Sequence, residues 1–103
     1  MSLLLSPVNL AKLSLNNRVV MPPMCMYEVH EKDGEITPFH TAHYGARAIG
    51  KVGLIIIEAT AVTPDGRLTD QDLGLWNDTQ AQKLQELVDS LHFLGSKVGI
   101  QLN

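Results

Sequence analysis

The residues with the clearest chemical potential lie in segment 19–27, where a short β-branched run leads into Pro-Pro and then Met-Cys-Met-Tyr. Cys25 offers a soft thiol, and Tyr27 offers a hydroxyl that can donate a hydrogen bond to a substrate oxygen. Pro22 and Pro23 have a fixed φ and no N–H group, so they should end strand pairing and hold the next residues extended. Ligands bind at the carboxyl ends of parallel strands in α/β proteins. The segment therefore predicts one wall of a site for a flat cofactor.

Both side chains also have a structural interpretation. Most free cysteines are small buried hydrophobes, so residue type alone leaves both interpretations of Cys25 open. Tyr27 could be a packing residue whose hydroxyl faces solvent.

Two polar residues end otherwise apolar strand patterns, Glu58 and Gln101. The planar amide of a buried Gln101 offers a donor and an acceptor, which suits the edge of a uracil-like ring. A buried Glu58 needs a partner, and Arg47 is a candidate. The alternative is that both side chains face solvent at the strand ends.

A metal site is a further possibility, because Cys25, His30, His40 and His43 follow one another along the chain. Their spacing matches none of the familiar zinc patterns. We therefore expect no metal, and capping or solvent-exposed roles for the histidines. A non-catalytic metal-binding module is kept as an alternative.

Three apolar runs predict the strands that must position these residues. The predicted strands are residues 19–21, 54–59 and 98–102. Helical patterns separate them, which is typical of consecutive right-handed βαβ units. Residues 8–15 alternate in polarity and predict a hairpin ahead of the first strand. Residues 60–76 predict a long, solvated polar loop with a turn at 64–66.

Both predicted helices carry capping signals. Thr37 precedes Pro38 at the start of the first helix, and Gly50 stands at its end. The predicted core face of this helix is Ala42, Ala46 and Ile49.

The second helix is predicted to begin at a cap formed by Asn77 or Asp78 and to end at Gly95. Its apolar side chains recur at helical spacing. The predicted stripe is Ala81, Leu84, Leu87, Val88, Leu91 and Leu94.

The composition is that of a globular domain, with a net charge of −3 and eight scattered Lys and Arg residues. This argues against a nucleic-acid partner, which would favour clustered basic residues. No run approaches the roughly 18 apolar residues of a membrane span, so no membrane partner is expected. One cysteine allows no internal disulfide, which favours a reducing cytoplasmic location.

Three parallel strands and two helices make an incomplete sheet, since an eight-stranded barrel takes about 250 residues. We therefore expect residues 1–103 to be the N-terminal part of a single larger α/β domain.

The motifs taken together resemble the Old Yellow Enzyme family of flavin oxidoreductases, in particular its thermophilic-like branch of bacterial NADPH dehydrogenases and ene-reductases. The matching segments span the chain. They are Asn-Arg-Val-Val-Met at 17–21, Pro-Met-Cys-Met-Tyr at 23–27, Pro-Phe-His at 38–40, Arg-Ala-Ile-Gly at 47–50, Glu-Ala-Thr at 58–60 and Gly-Ile-Gln-Leu at 99–102.

The resemblance implies a (β/α)8 TIM barrel that binds FMN at the carboxyl ends of its strands, of which this chain would supply about three βα units after the hairpin. It implies that Cys25 tunes the reduction potential and that Tyr27 borders the substrate pocket. Proline at position 22 replaces a small residue common in relatives and removes any hydroxyl contact there. The implied flavin-binding residues are Pro22, Pro23, Met24, Cys25, Ala59 and Gln101.

The implied reaction passes hydride from NADPH or NADH through FMN to an activated alkene, such as an α,β-unsaturated carbonyl compound. The implied assembly of the whole enzyme is a homodimer or homotetramer. Family residues that grip the substrate carbonyl lie beyond Asn103, so we expect residues 1–103 alone to be inactive. The alternative enzyme is another FMN barrel, such as a dihydrouridine synthase.

Overall fold

The computed structural model describes residues 2–103 and contains a hairpin, a small parallel sheet and two helices. The strands are β1 (Val8–Leu10), β2 (Leu13–Leu15), β3 (Val20–Met21), β4 (Leu54–Ala61), β5 (Leu73–Gly74) and β6 (Lys97–Leu102). The helices are α1 (Pro38–Ile49) and α2 (Asp78–Phe93), and a short 3-10 turn covers Pro64–Gly66.

The predicted hairpin is confirmed. Strands β1 and β2 are antiparallel, with Val8 opposite Leu15 and Leu10 opposite Leu13. Ala11 in the tight connection has a φ of 52°. Asn17 lies two residues after the end of β2. Its side-chain N–H donates to the Lys51 carbonyl at 2.7 Å, which places this part of the chain at the amino end of β4.

The three predicted strands form a parallel sheet with β4 at its centre. Leu54 pairs with Val20 of β3 on one side and with Lys97 of β6 on the other. The register between β4 and β6 then shifts by one residue. Ile57 pairs with Ile100, whereas Thr60 pairs with Leu102. This β-bulge lies at the carboxyl end of β4, where the site residues are expected.

The prediction that residues 60–76 form a loop is wrong at two places. Strand β4 continues through Ala61, and β5 adds a parallel pair in which Thr60 is opposite Leu73. Thr60 also pairs with β6, so β5 must lie on the β3 side of β4. Between these strands the chain turns at 64–66, as predicted.

Helix α1 begins at Pro38 after Thr37, as predicted, but it buries a different face. The predicted face of Ala42, Ala46 and Ile49 is exposed. The buried residues are His40, Tyr44 and Ala48. Burial of this face is made less costly by the partners that His40 Nδ1 and the Tyr44 hydroxyl find inside the protein.

The end of α1 also differs from the prediction. Gly50 has an ordinary φ of −72°, and the left-handed position belongs to Lys51, whose φ is 71°. The N–H of Val52 donates to the Arg47 carbonyl at 3.2 Å, which completes a Schellman-type end around a non-glycine residue.

Helix α2 begins and ends as predicted. The Asn77 side chain accepts the Gln80 N–H at 2.8 Å, and the Gln80 side chain accepts the Asn77 N–H at 3.2 Å, forming a capping box. Gly95 follows the helix with a φ of 98°. Ala81 is exposed, and the other predicted stripe residues are buried or half-buried.

The core lies between the helices and one face of the sheet. Ile55 and Ile57 of β4 are fully buried against Tyr44 of α1 and against Leu87 and Leu91 of α2. Side chains alternate across a strand, so Leu54 and Ile56 point to the other face and are half-buried. The helices therefore cover one face and leave the carboxyl end of β4 to segment 22–27.

Candidate functional site

Segment 22–27 leaves β3 in an extended form and is attached to the end of β4 by one backbone hydrogen bond. The N–H of Met26 donates to Glu58 Oε2 at 3.2 Å. Further along, the N–H of Val29 donates to the Gln71 carbonyl at 3.1 Å. These bonds hold the carboxyl end of the predicted cofactor wall against the rest of the fold.

The exposure of the wall residues divides them into two groups. Pro22, Met24 and Tyr27 are exposed, whereas Pro23 and Cys25 are half-buried. No side-chain hydrogen bond involves the Tyr27 hydroxyl in the described part of the chain, and this side chain is 49% exposed. Its hydroxyl is therefore free to meet a ligand.

Tyr27 also has an unusual backbone conformation, with a φ of 58°. The left-handed region is unfavourable for a residue with a β-carbon, and such strain is concentrated at functional sites. Neither the residue type nor the preceding prolines signalled this feature. The conformation requires support from the hydrogen bonds on either side.

Cys25 lies beside Ala59 of β4. Burial of the thiol, followed by the negative charge of Asp72, raises the pKa of Cys25. A hydrogen bond from the Ala59 backbone opposes this shift without reversing it. The thiol is therefore protonated at neutral pH, which argues against a thiolate nucleophile and for a neutral contact with a ligand.

The β-bulge brings Ala59 next to Gln101. Between the Ile57–Ile100 pair and the Thr60–Leu102 pair, the residues Glu58 and Ala59 are opposite the single residue Gln101. Bulges re-aim side chains next to binding sites. Here the bulge is the feature that gathers predicted site residues from two strands.

The Gln101 side chain is exposed in this structure, which is the alternative to burial that the sequence left open. Its amide takes part in no hydrogen bond with the described residues. Both its donor and its acceptor are thus available to a ligand at the carboxyl end of the sheet.

Glu58 is 1% exposed, and its predicted partner Arg47 is wrong. Arg47 instead donates to the His43 carbonyl at 3.1 Å. The Tyr44 hydroxyl donates to Glu58 Oε1 at 2.8 Å and accepts the Glu58 N–H at 3.0 Å. Burial raises the pKa of Glu58, and the hydrogen bonds from Tyr44 and Met26 oppose that shift.

His40 caps helix α1 and is fully buried. Its Nδ1 accepts the Thr37 N–H at 3.0 Å, so the ring proton is assigned to Nε2. Nε2 lies 3.7 Å from Glu58 Oε1 and has no hydrogen-bond partner. Burial lowers the pKa of His40 to about 4, so the imidazole is neutral at pH 7 and the contact is no ion pair.

The loop before β5 is less solvated than predicted. Asp72 is 2% exposed and accepts hydrogen bonds from the N–H groups of Leu68 and Thr69 at 2.9 and 3.1 Å. Arg67 lies over the ring of Trp76, with 5.3 Å between the guanidinium carbon and the ring centroid. Asp72 thus brings a buried carboxylate near Cys25, which the sequence did not indicate.

The alternative metal site is not assembled. Within residues 2–103, no three His, Cys, Asp or Glu side chains are gathered in a way that could hold a metal ion. His30 is exposed and pairs with Glu28 at 2.8 Å, while His40 uses Nδ1 for capping.

A cavity of about 580 Å3 lies away from this site, between the start of α1 and the middle of α2. Its lining includes Thr37, Pro38, Lys83 and Glu86, and it includes no predicted site residue. The predicted site residues therefore lie at the strand ends and not in this groove. None of the helices in residues 2–103 has the length and apolar character needed to cross a membrane.

Residues 3–103 match the family described as NADH:flavin oxidoreductase / NADH oxidase. The chain is 57% identical over 99 residues to a protein named NADPH dehydrogenase from Bacillus subtilis, covering 96% of this chain and 29% of that protein. It is also 57% identical over 102 residues to an NADPH dehydrogenase from Listeria monocytogenes serotype 4b, covering 99% and 30% respectively.

Solved structures show the same arrangement. Morphinone reductase superimposes with a TM-score of 0.87 at 34% identity, covering 96% of this chain and 25% of that one. An Old Yellow Enzyme from Pichia sp. AKU4542 gives a TM-score of 0.89 at 30% identity, covering 97% and 26%. The chain thus spans less than a third of the length of these relatives, and the predicted fold class, three βα units of a TIM barrel after a hairpin, is confirmed. This chain belongs to the NADH:flavin oxidoreductase / NADH oxidase family.

Proposed function

We propose that residues 1–103 form the N-terminal part of one FMN-binding barrel domain and supply the flavin wall of an oxidoreductase. The whole protein would transfer hydride from NADPH or NADH to an activated alkene, such as an α,β-unsaturated carbonyl compound. The observation that carries this proposal is the meeting of Cys25, Ala59 and Gln101 at the β-bulge. The similarity to proteins named NADPH dehydrogenase and morphinone reductase supports the same class of reaction.

The residues at the bulge fit a flavin. A flavin presents a flat apolar ring system and one polar pyrimidine edge. The free Gln101 amide offers a donor and an acceptor for that edge, and the backbone of Ala59 lies beside it in the bulged part of β4. Pro22, Pro23 and Met24 would form the apolar wall, made stiff by the two prolines.

The bound flavin supplies the redox chemistry, and the protein supplies orientation and electrostatics. Cys25 is a protonated thiol, which can donate a weak hydrogen bond and tune the reduction potential. Tyr27 has a free hydroxyl that can donate to a substrate oxygen. Both residues would contact cofactor or substrate, which is the sense in which we assign them as catalytic.

The competing functions have less support. A dihydrouridine synthase would bind tRNA through a basic surface, whereas this chain carries a net charge of −3. A metal-binding module lacks an assembled ligand set in residues 2–103.

We further propose a homodimeric or homotetrameric whole protein, and a cytoplasmic location that a single free cysteine favours.

The proposal is tested by anaerobic reduction of cyclohexenone with NADPH and with NADH. The assay uses the native-length protein, which is the whole protein of which residues 1–103 are proposed to be the N-terminal part. Tyr27→Phe should lower kcat/KM for the enone about tenfold, as expected for one lost hydrogen bond in the transition state. Thr79→Ala, on the exposed side of α2, is the control and should leave the rate unchanged. A wild-type protein that binds FMN but oxidises no nicotinamide would contradict the proposed reaction.

A further inference from the structure

The buried carboxylate of Glu58 is shared between the core and the predicted flavin wall. One oxygen, Oε1, accepts from the Tyr44 hydroxyl at 2.8 Å. The other, Oε2, accepts from the Met26 N–H at 3.2 Å. Glu58 therefore links helix α1 to segment 22–27 through a single side chain.

The position of Met26 gives this link its importance. Met26 stands between Cys25 and Tyr27, the two residues proposed to face cofactor and substrate. Tyr27 is held in the left-handed region with a φ of 58°, which is unfavourable for a residue with a β-carbon. The bond from Met26 to Glu58 fixes the backbone next to that strained residue.

Tyr44 in turn fixes the carboxylate. Its hydroxyl donates to Oε1 and also accepts the Glu58 N–H at 3.0 Å, so the side chain and backbone of Glu58 are held by one group. Neutral His40 faces the same oxygen at 3.7 Å. Asp72 and Glu28 are the nearby carboxylates that, after burial, favour the protonated form of Glu58.

We propose that Glu58, oriented by Tyr44, is a positioning residue that sets the placement of Cys25 and Tyr27 against the flavin and the substrate. This inference rests on the proposed function. Glu58 need not touch a reacting atom, since it acts through the backbone of Met26.

The direct test is Glu58→Met in the native-length protein. Glutamine would not be decisive, because its NH2 group could donate to the Tyr44 hydroxyl while its oxygen still accepted the Met26 N–H. Methionine has a similar unbranched shape, and its thioether is at most a weak acceptor. Glu58→Met therefore removes the hydrogen bond to Met26 in every side-chain orientation.

Two readouts follow the position of segment 22–27. The rate of iodoacetamide labelling at Cys25, read from the mass of its peptide, should rise about tenfold in Glu58→Met, the change expected for the lost hydrogen bond to Met26. In the holoprotein, the rate of flavin reoxidation by cyclohexenone should fall by a similar factor. Unchanged rates in both assays would overturn the proposal.

Two control variants separate positioning from loss of charge and from general destabilisation. Glu86→Met makes the same substitution on the exposed surface of α2 and should change neither rate. Val88→Ala removes two methyl groups from a half-buried position beside the core and should leave Cys25 labelling unchanged under native conditions. Labelling that rises equally in Val88→Ala would show a merely structural effect and overturn the assignment.

A measurement on the wild type keeps the proposal testable if Glu58→Met does not fold. The Met26 amide should exchange with deuterium at least about a hundredfold more slowly than an unstructured amide, because it is hydrogen-bonded to a buried acceptor. Exchange at the unstructured rate would overturn the proposal. Absence of flavin from the wild type would instead refute the proposed function, while the labelling and exchange results would still report on Glu58.

Discussion

Tyr44→Phe removes one hydroxyl from the core and leaves two buried partners unmatched. Tyr44 is 1% exposed, and its hydroxyl both donates to Glu58 Oε1 and accepts the Glu58 N–H. Leaving a buried donor or acceptor without its hydrogen-bond partner lowers the free energy of unfolding by roughly 1–3 kcal/mol, and the upper part of this range applies to charged groups. Two such groups predict a loss of about 3 kcal/mol or more in the free energy of unfolding.

The assay is urea unfolding of the native-length protein at neutral pH, followed by circular dichroism. Tyr27→Phe is the matched control, because it removes the same atom from a residue that is 49% exposed. The control should change the free energy of unfolding by no more than about 0.5 kcal/mol. If Tyr44→Phe cost no more than this control, the reasoning about the Tyr44–Glu58 pair would be refuted.

Three further predictions concern pH and backbone conformation. The unfolded chain protonates His40 below pH 6.5, whereas the folded one stays neutral down to about pH 4. As the pH falls from 6.5 to about 4, the free energy of unfolding of the wild type should therefore drop by about 3 kcal/mol more than that of His40→Asn. The difference between the two free energies of unfolding, plotted against pH, measures this effect. Lys51→Gly should stabilise the protein by about 1 kcal/mol in urea unfolding, since a φ of 71° favours glycine; equal or lower stability would contradict this. Gly34→Ala should destabilise it by more than about 1 kcal/mol in the same assay, because φ is 71° and a β-carbon would lie 2.9 Å from the Trp76 ring. A neutral Gly34→Ala would show that this turn readily rearranges.

The sequence predicted the hairpin, three strands of the parallel sheet and both helix starts, because those depend on local pattern and capping, but it missed β5. It failed on the buried face of α1. Hydrophobic periodicity selected Ala46 and Ile49, whereas the structure buries His40 and Tyr44. The partner that makes this burial possible, Glu58, belongs to a strand rather than to the helix, so periodicity within α1 could not reveal it.

The geometry of the site was only partly predictable. Motif resemblance indicated Cys25, Ala59 and Gln101 as site residues. The β-bulge beside Ala59 depends on the register between β4 and β6, which is a tertiary property. The left-handed conformation of Tyr27 similarly depends on hydrogen bonds made by its neighbours, and no local residue type signals it.

The most direct test of the account is the visible absorption spectrum of the native-length protein, with its intact mass and the mass of any released cofactor read from the same sample. The account predicts a flavin band near about 450 nm and release of FMN. A protein that stays colourless after incubation with FMN and desalting would contradict the assignment of Cys25, Ala59 and Gln101 to a flavin site.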